Sequence, residues 1–448
     1  MKNTKTTYKP QIKYQLQQKL KTIRTTSFNN SELHAELIYD KEEDKLLYAI
    51  YDKENNNVIY ESRITLIMKD NKTGETHPII IEPPKIDLIE KGVILLPSKA
   101  SKYKDEKTLL KNIQNFIHKY MDIEEQFEKL CAYYVMFTWV YDRFNETPYL
   151  RALGDYGTGK TRFLQTLGAL CYKSTFTSGA TTPAPIYRIN EMFHGTLILD
   201  EADLKYSDSK SDYIKILNCG YMKGMPVIRC EQETMNPQSF DVFCPKLIAT
   251  RHRFEDSALE SRCITVILMK TKAREDVPRN LSDGFWDEAQ TIRNQLLAFR
   301  FKHYDQTELK IKYANTNIED RIRQISTPLL STIEDKSIRT EINMFLEEYN
   351  EEIIQDRKST YTGEILEIIC KLLGEKKSIM VRDVANEFNL NRDVEDKLSN
   401  RKIGGIIRNM LNLSTIRKTA GYEITYTKKK LYQLIKRYNI TGYQEGLV

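Results

Sequence analysis

The sequence predicts an α/β protein: a parallel sheet covered by helices, with a small β-rich unit before it and a helix-and-hairpin module after it. Three observations lead there. Short apolar strands alternate with helical segments over 148–270, which calls for crossover connections and a sheet covered on both faces. Residues 31–100 alternate apolar and polar side chains with a period of two. The last 85 or so residues return to helical spacing and end in two short strand-like runs about Thr419-Ala420-Gly421. A chain of 448 residues exceeds one ordinary domain. The pattern divides it into 1–105, 106–356 and 357–448.

In chain order, the runs LHAELIYD, KLLYAIYD, NVIYES, RITLIMKD and HPIIIEPP read as strands, separated by turn signals such as Asn55-Asn56-Asn57 and Asp70-Asn71. Residues 107–141 turn helical, with Ile113, Phe116, Ile117 and Tyr120 on one face and a second helix from about Ile123. LRALG, TLILDEAD, KLIAT and CITVIL are strand-like; 161–172 and 213–219 are helical. Helices follow over 283–353.

The chemistry gathers at Gly154-Asp155-Tyr156-Gly157-Thr158-Gly159-Lys160-Thr161, which satisfies G-x-x-x-x-G-K-S/T between a strand and an amphipathic helix; these residues and Arg162 are the nucleotide-binding candidates. Small residues let backbone N–H groups wrap a β-phosphate at the helix N-terminus. Lys160 is positioned to reach the β- and γ-phosphates, and the Thr161 hydroxyl to ligate Mg²⁺. The strand Thr196-Leu-Ile-Leu ends in Asp200 and Glu201. Asp200 is the second candidate for Mg²⁺; Glu201 is the candidate that orients an attacking water. The expected cofactors are ATP and Mg²⁺, and the expected activity is hydrolysis. Thr250, closing the strand 246–250, is a candidate sensor of the γ-phosphate. Arg262, in FEDSALESRCITVIL, is a candidate arginine finger for a neighbouring subunit. The plainer alternative pairs Arg262 with Glu260 or Glu255.

Val227–Cys230 and 239–243 read as a hairpin joined by a polar loop, flanked by Lys223 and Arg229. It suits either a DNA-gripping channel loop or subunit packing. At the C-terminus, 364–373 and 381–388 (led by Ser378) are helices. NRDVEDKLSNRKIGGIIRNML is a third, and STIRKTAGYEITY is a hairpin: a winged helix-turn-helix. Arg401, Lys402 and Arg408 on the third helix suit a major groove, and Arg417 and Lys418 on the wing suit a phosphate or minor groove.

Composition bounds the alternatives. The net charge is +6, yet residues 1–30 hold seven cations and no acid, and 396–440 are net +9, so the centre is acidic. That asymmetry points to a polyanion held by the ends, or to basic tails that only solubilise. Seven cysteines lack any CxxC pair, which supports neither a zinc site nor a disulfide framework. No run of 18 apolar residues exists and the N-terminus lacks an apolar signal stretch, so a cytoplasmic protein with no membrane association is expected.

The loop, LILDEAD and ESR motifs, in this order over about 106–350, resemble the AAA+ P-loop ATPases. The resemblance adds a helical lid in which Arg321 (preferred) or Arg323 of EDRIRQISTPLL serves as a second sensor. With the hairpin and the winged helix, the chain resembles the MCM-like self-loading replication initiator helicases of staphylococcal pathogenicity islands and related cassette elements. That likeness implies a homohexameric 3′-to-5′ DNA helicase that recognises an origin through its C-terminal domain and forms a collar with its N-terminal one. Its partners would be double- and single-stranded DNA and host replication proteins. An origin-binding ATP switch or helicase loader without unwinding of its own is the alternative.

Overall fold

The computed structural model describes residues 21–69, 76–178, 180–200, 208–230, 235–270, 272–376 and 378–441. The basic stretch 1–20, the Asp70-Asn71 turn signal, Glu201 and the hairpin tip 231–234 lie outside the described residues. The chain divides into two compact units, Met1–Ile342 and Asn343–Val448.

In the first unit, β2 (Ser27–Asn29), β3 (Leu33–Asp40), β4 (Lys45–Asp52) and β5 (Asn57–Glu61) form an antiparallel four-stranded sheet, after β1 (Lys21–Arg24). β6 (Ile64–Lys69) pairs antiparallel with β7 (Thr76–Glu82), and β1 adds to β7 in parallel. The five strands expected from alternation are therefore present. Their buried side is made by Leu33, Ala35, Leu37, Tyr48 and Ile50, packed with Ile64, Leu66 and Ile81. β1 pairs with a strand more than 50 residues away, which no local pattern signals.

Two helices follow, α1 (Glu106–Tyr120), capped by Asp105 accepting from the Thr108 N–H at 2.7 Å, and α2 (Glu125–Thr138). The central region then runs β8 (Tyr149–Leu153), α3 (Lys160–Gly168), β9 (Thr175–Thr177), α4 (Pro183–Phe193), β10 (Leu197–Leu199), α5 (Asp208–Cys219), β11 (Val227–Cys230), β12 (Pro237–Phe240), β13 (Lys246–Thr250), α6 (Ser257–Glu260) and β14 (Cys263–Ile267). β8, β9, β10, β13 and β14 form a five-stranded, all-parallel sheet in the order β14-β8-β13-β10-β9. β11 and β12 make a separate antiparallel hairpin, Val227 opposite Phe240. α7 (Asp283–His303), α8 (Asp320–Ser331) and α9 (Lys336–Lys358) follow, and the division between units falls within α9.

The second unit holds α10 (Tyr361–Glu375), α11 (Val381–Asn389), α12 (Asn400–Asn409), the antiparallel pair β15 (Ser414–Lys418) and β16 (Gly421–Thr425), and α13 (Lys428–Tyr438). Its core gathers Ile365, Ile369, Val384, Phe388, Ile403, Ile407, Ile424 and Leu431. The expected third helix is shorter than its sequence run. It starts at Asn400 because Ser399 caps it, accepting from the Lys402 N–H at 3.3 Å. Ser378 does not cap α11; Met380 holds that position, and Ser378 donates its hydroxyl to the Glu423 carboxylate instead. Among the described residues no helix is long and apolar enough to cross a membrane.

One buried charge cluster ties the first unit together. Glu36 on β3 accepts from Arg300 Nε on α7 (2.7 Å), Lys173 Nζ (2.8 Å) and the Tyr172 hydroxyl (2.7 Å), and contacts His34 Nε2 (3.2 Å). Burial alone would raise the Glu36 carboxyl, but Lys173, Arg300 and His34 reverse that and hold it well below the usual carboxylate range. Asp142 behaves alike: burial raises it, and the two hydrogen bonds from Arg300 (2.9 and 2.7 Å) bring it below its ordinary value. Burial pushes His34 down, and its bond to Glu36 only partly offsets this. Glu36→Gln leaves Lys173 and Arg300 buried without their common counter-charge and is expected to cost about 3–5 kcal/mol, read by urea unfolding. The lowered His34 works with the opposite partner state: the unfolded chain takes up that proton first. Stability should fall as pH drops below 6.5, at up to about 1.4 kcal/mol per pH unit, and His34→Gln should flatten that slope. The Glu36 and Asp142 contributions persist there and are lost only below the ordinary carboxylate range.

Candidate functional site

β8 buries its side chains in the sheet and delivers the chain to the loop 154–159 at the sheet's C-terminal edge, where open α/β sheets bind ligands. Three glycines shape that loop. Gly157 and Gly159 have φ of +72° and +91°, which side chains rarely tolerate. At Gly154 a Cβ would lie 2.5 Å from the Leu268 carbonyl oxygen and 2.5 Å from Thr158 Oγ1. α3 begins directly after Gly159, so its unpaired first N–H groups open onto the loop. Lys160 Nζ donates to the carbonyl oxygens of Gly154 (2.7 Å) and Asp155 (2.6 Å), which holds the ammonium across the loop.

The strand-end acid comes to the same place. Thr161 Oγ1 donates to Asp200 Oδ2 at 3.0 Å, joining the start of α3 to the end of β10 across 39 residues. A hydroxyl and a carboxylate together are the hard oxygen donors that suit Mg²⁺, and the glycine loop beside them leaves room for phosphate oxygens.

Thr250 ends β13 in register with Leu153, and its carbonyl accepts from the Gly154 N–H at 3.3 Å. Its hydroxyl is buried and has no hydrogen-bond partner among the described residues. The next residue, Arg251, was missed in the sequence. Its guanidinium lies 3.8 Å from the Tyr156 ring centre and donates to the Tyr156 hydroxyl at 2.5 Å, directly on the loop. A cation immediately past a sheet strand was the signal available.

Arg162 turns away from the loop. It donates to the carbonyls of Tyr120 (3.3 Å), Pro278 (2.8 Å) and Arg279 (2.6 Å), and burial lowers its pKa. In doing so it braces a cleft of about 640 Å³ that adjoins Gly157–Gly159 and is lined by Tyr120, Asp122, Lys270, Arg274 and Pro278. Asp122 holds the far wall through Lys270 Nζ (2.9 Å) and the Arg274 N–H (3.0 Å). No local pattern signals this cleft, because its walls come from 120–123 and 268–279, far apart in the chain.

Arg262 precedes β14, whose Cys263 pairs with Tyr149 at the N-terminal edge of the sheet. The five residues of β8 put it about 13 Å from the loop along the strand direction. Arg262 does not pair with Glu260. It donates to Asn218 Oδ1 (2.5 Å) and stacks 4.3 Å from the Tyr221 ring centre, 8 % exposed. Glu260 instead takes both Nη atoms of buried Arg151 (2.6 and 2.5 Å) and Arg253 (3.3 Å). Burial raises the Glu260 carboxyl, and the Arg151 bonds more than reverse it. Arg321 shares the Tyr221 platform, 5.4 Å from its ring centre and donating to its hydroxyl at 3.1 Å. Arg323 faces outward and pairs with Asp320 at 2.5 Å. The structure thus brings Arg262 and Arg321 together and leaves Arg323 apart.

Beside the hairpin, Lys223 donates to the Asp142 carbonyl (2.6 Å), while Arg229 on β11 pairs with Asp212 (3.3 Å). In the second unit Arg401 and Lys402 are exposed in the first turn of α12. Arg408 is exposed and donates to Thr415 Oγ1 (3.3 Å), Arg417 is exposed on β15, and Lys418 pairs with Glu423 (3.7 Å).

No protein-family model and no curated protein matches this sequence. Among solved structures, the chain is similar to the apo A form of the NrS-1 C-terminal region, with a TM-score of 0.38 and 13% identity over 87% of this chain and 95% of that one. A second structure of the A form, residues 305–718 of the same region, gives a TM-score of 0.35 and 12% identity over 88% and 96%. A likeness of that degree assigns neither a fold family nor an activity.

Gly154→Ala is expected to lower stability by about 1–3 kcal/mol, because a backbone oxygen, not a flexible side chain, opposes the new methyl. A thermal melt reporting the first unit reads it.

Proposed function

We propose that this chain is an AAA+ P-loop ATPase that works as a homohexameric DNA helicase and replication initiator of a mobile genetic element. It would bind origin DNA through a winged-helix module at the C-terminus. One observation carries the reading: the Thr161–Asp200 contact, 3.0 Å, which joins the G-K-T end of the glycine loop to a strand-end acid at the C-terminal edge of a parallel sheet. A glycine turn without a phosphate role has no need of that acid.

Thr161 and Asp200 would hold Mg²⁺, which when bound neutralises charge on the β- and γ-oxygens. The loop N–H groups and Lys160 would cradle the phosphates, and the adjoining cleft offers space for the nucleoside. Glu201, next along the chain, is assigned to orient and deprotonate the attacking water. Arg262 and Arg321 sit at the other edge of the sheet, so any phosphate they stabilise belongs to a neighbouring subunit. That geometry supports an assembly in which each site is completed in trans. In the second unit, cations rather than acids occupy the first turn of α12, against the helix dipole, and a polyanion relieves that arrangement.

Lys160→Ala should weaken ATP binding at least tenfold in equilibrium dialysis, and unchanged affinity would sink the assignment of the loop. The wild type should unwind a forked duplex with ATP while Glu201→Gln binds ATP and does not unwind. ATP hydrolysis by an assembled protein that never separates strands would favour the loader or switch instead. Arg262→Ala should lose hydrolysis alone and regain part of it when mixed with Glu201→Gln, since the two defects then lie in different sites of one ring.

A further inference from the structure

α13 is the element of the second unit that the winged-helix reading leaves without a task. Leu431, Leu434 and Tyr438 face the core, with Ile435 partly covered. The opposite side carries Lys428, Lys429, Tyr432 and Lys436, all exposed, within about 100° of the helix circumference at 100° per residue. The helix contains no acid.

Two features separate this stripe from an ordinary solvated face. First, lysines 428–430 occupy the first turn, where the helix dipole already places positive charge, and no acid relieves them. α10 and α11 of the same unit carry Glu364 and Asp383 there. Second, several cations on other elements of this unit are paired: Lys371 with Glu387 (2.5 Å), Lys376 with Asp383 (3.7 Å), Lys418 with Glu423 (3.7 Å) and Arg392 with Glu364. Lys428, Lys429 and Lys436 form no ion pair among the described residues. A like-charged, unpaired stripe at the positive end of a dipole costs stability unless an anion meets it.

We propose that this face of α13 binds the phosphate backbone of duplex DNA, independently of base sequence. From Lys428 to Lys436 the stripe runs about 12 Å along the helix, enough to follow successive phosphates of one strand. The exposed Tyr432 hydroxyl, between the lysines, donates to a phosphate oxygen as tyrosines do at DNA backbones. The site extends the proposed DNA-binding role of this unit to a second element, and it does not require α12 to read bases.

The test uses the full chain without nucleotide, and fluorescein-labelled 20-base-pair duplexes of two unrelated sequences. Lys428→Ala/Lys429→Ala/Lys436→Ala should weaken binding at least tenfold at low salt, by the same factor on both duplexes. The slope of log K against log salt should fall by about 2.7, at about 0.9 per phosphate contact. Tyr432→Phe should give a smaller loss in the same direction. Unchanged affinity and slope in the triple variant, with a melting temperature equal to that of the wild type, overturns the proposal. A loss confined to a single-stranded 20-mer also overturns it, because the occupant is then an unpaired strand. Arg401→Ala/Lys402→Ala run in parallel separates the two readings: if it alone weakens binding, the α13 site fails and the α12 reading stands. If the triple variant alone does so, the reverse holds. No duplex binding by the wild type removes both.

Discussion

A carboxylate without water must find its counter-charges inside the protein, and Glu36 finds them on segments separated by well over a hundred residues. Arg300 reaches it from α7, Lys173 from the turn that leads into β9, and His34 from its own strand. Taking these groups out of water is costly, and only their mutual contacts and the satisfied hydrogen bonds offset it. The sheet β2-β3-β4-β5 is thereby committed to one seat on the helices and the parallel sheet, since any shift exposes an unpaired charge to an apolar interior. Asp142 and the Tyr172 hydroxyl finish the network from two further segments. The β-rich part is for this reason inside the first unit and not an appendage to it.

From that seat the parallel sheet presents two edges with different chemistry. At the C-terminal edge lie glycines, backbone N–H groups, a lysine and the Thr161–Asp200 contact, all suited to anions and a hard cation. At the N-terminal edge lie two arginines on one tyrosine. The connection between the edges is concrete: the segment after β13 begins with Arg251 against Tyr156 and continues through Arg253 to Glu260, which grips Arg151 inside β8. The buried Arg151 within the sheet is tolerated because, besides its bonds to Glu260, it donates to Thr265 at 2.8 Å, so little of its guanidinium is left unsatisfied.

Much of this could be read from the residues. The alternation of LHAELIYD and KLLYAIYD matches strands β3 and β4, because a strand with one buried face writes a period of two into its sequence. The strand–loop–helix around Lys160 was equally legible, since glycines and a G-K-T triplet have a local backbone reason. The short β9 and the helix α4 were not foreseen: three residues carry too little periodicity, and Pro183 reads as a breaker although it is at ease in a first turn. α13 is masked in the sequence because its lysine run reads as charge, although Leu431, Leu434 and Tyr438 keep helical spacing.

What the chain's own order of residues establishes is therefore local: the strand and helix types, the glycine loop, the acid at a strand end, and the basic tail. These depend on spacings of two to four residues, and such spacings are visible in one dimension. Long-range geometry settled the rest. It brought Thr161 to Asp200, turned Arg162 away from the loop toward a cleft, and set Arg321 rather than Arg323 beside Arg262 on Tyr221. The reason is physical. Each of these contacts joins segments 39 or more residues apart, so no spacing of two to four residues carries it and only the packing of the sheet and helices brings the partners together.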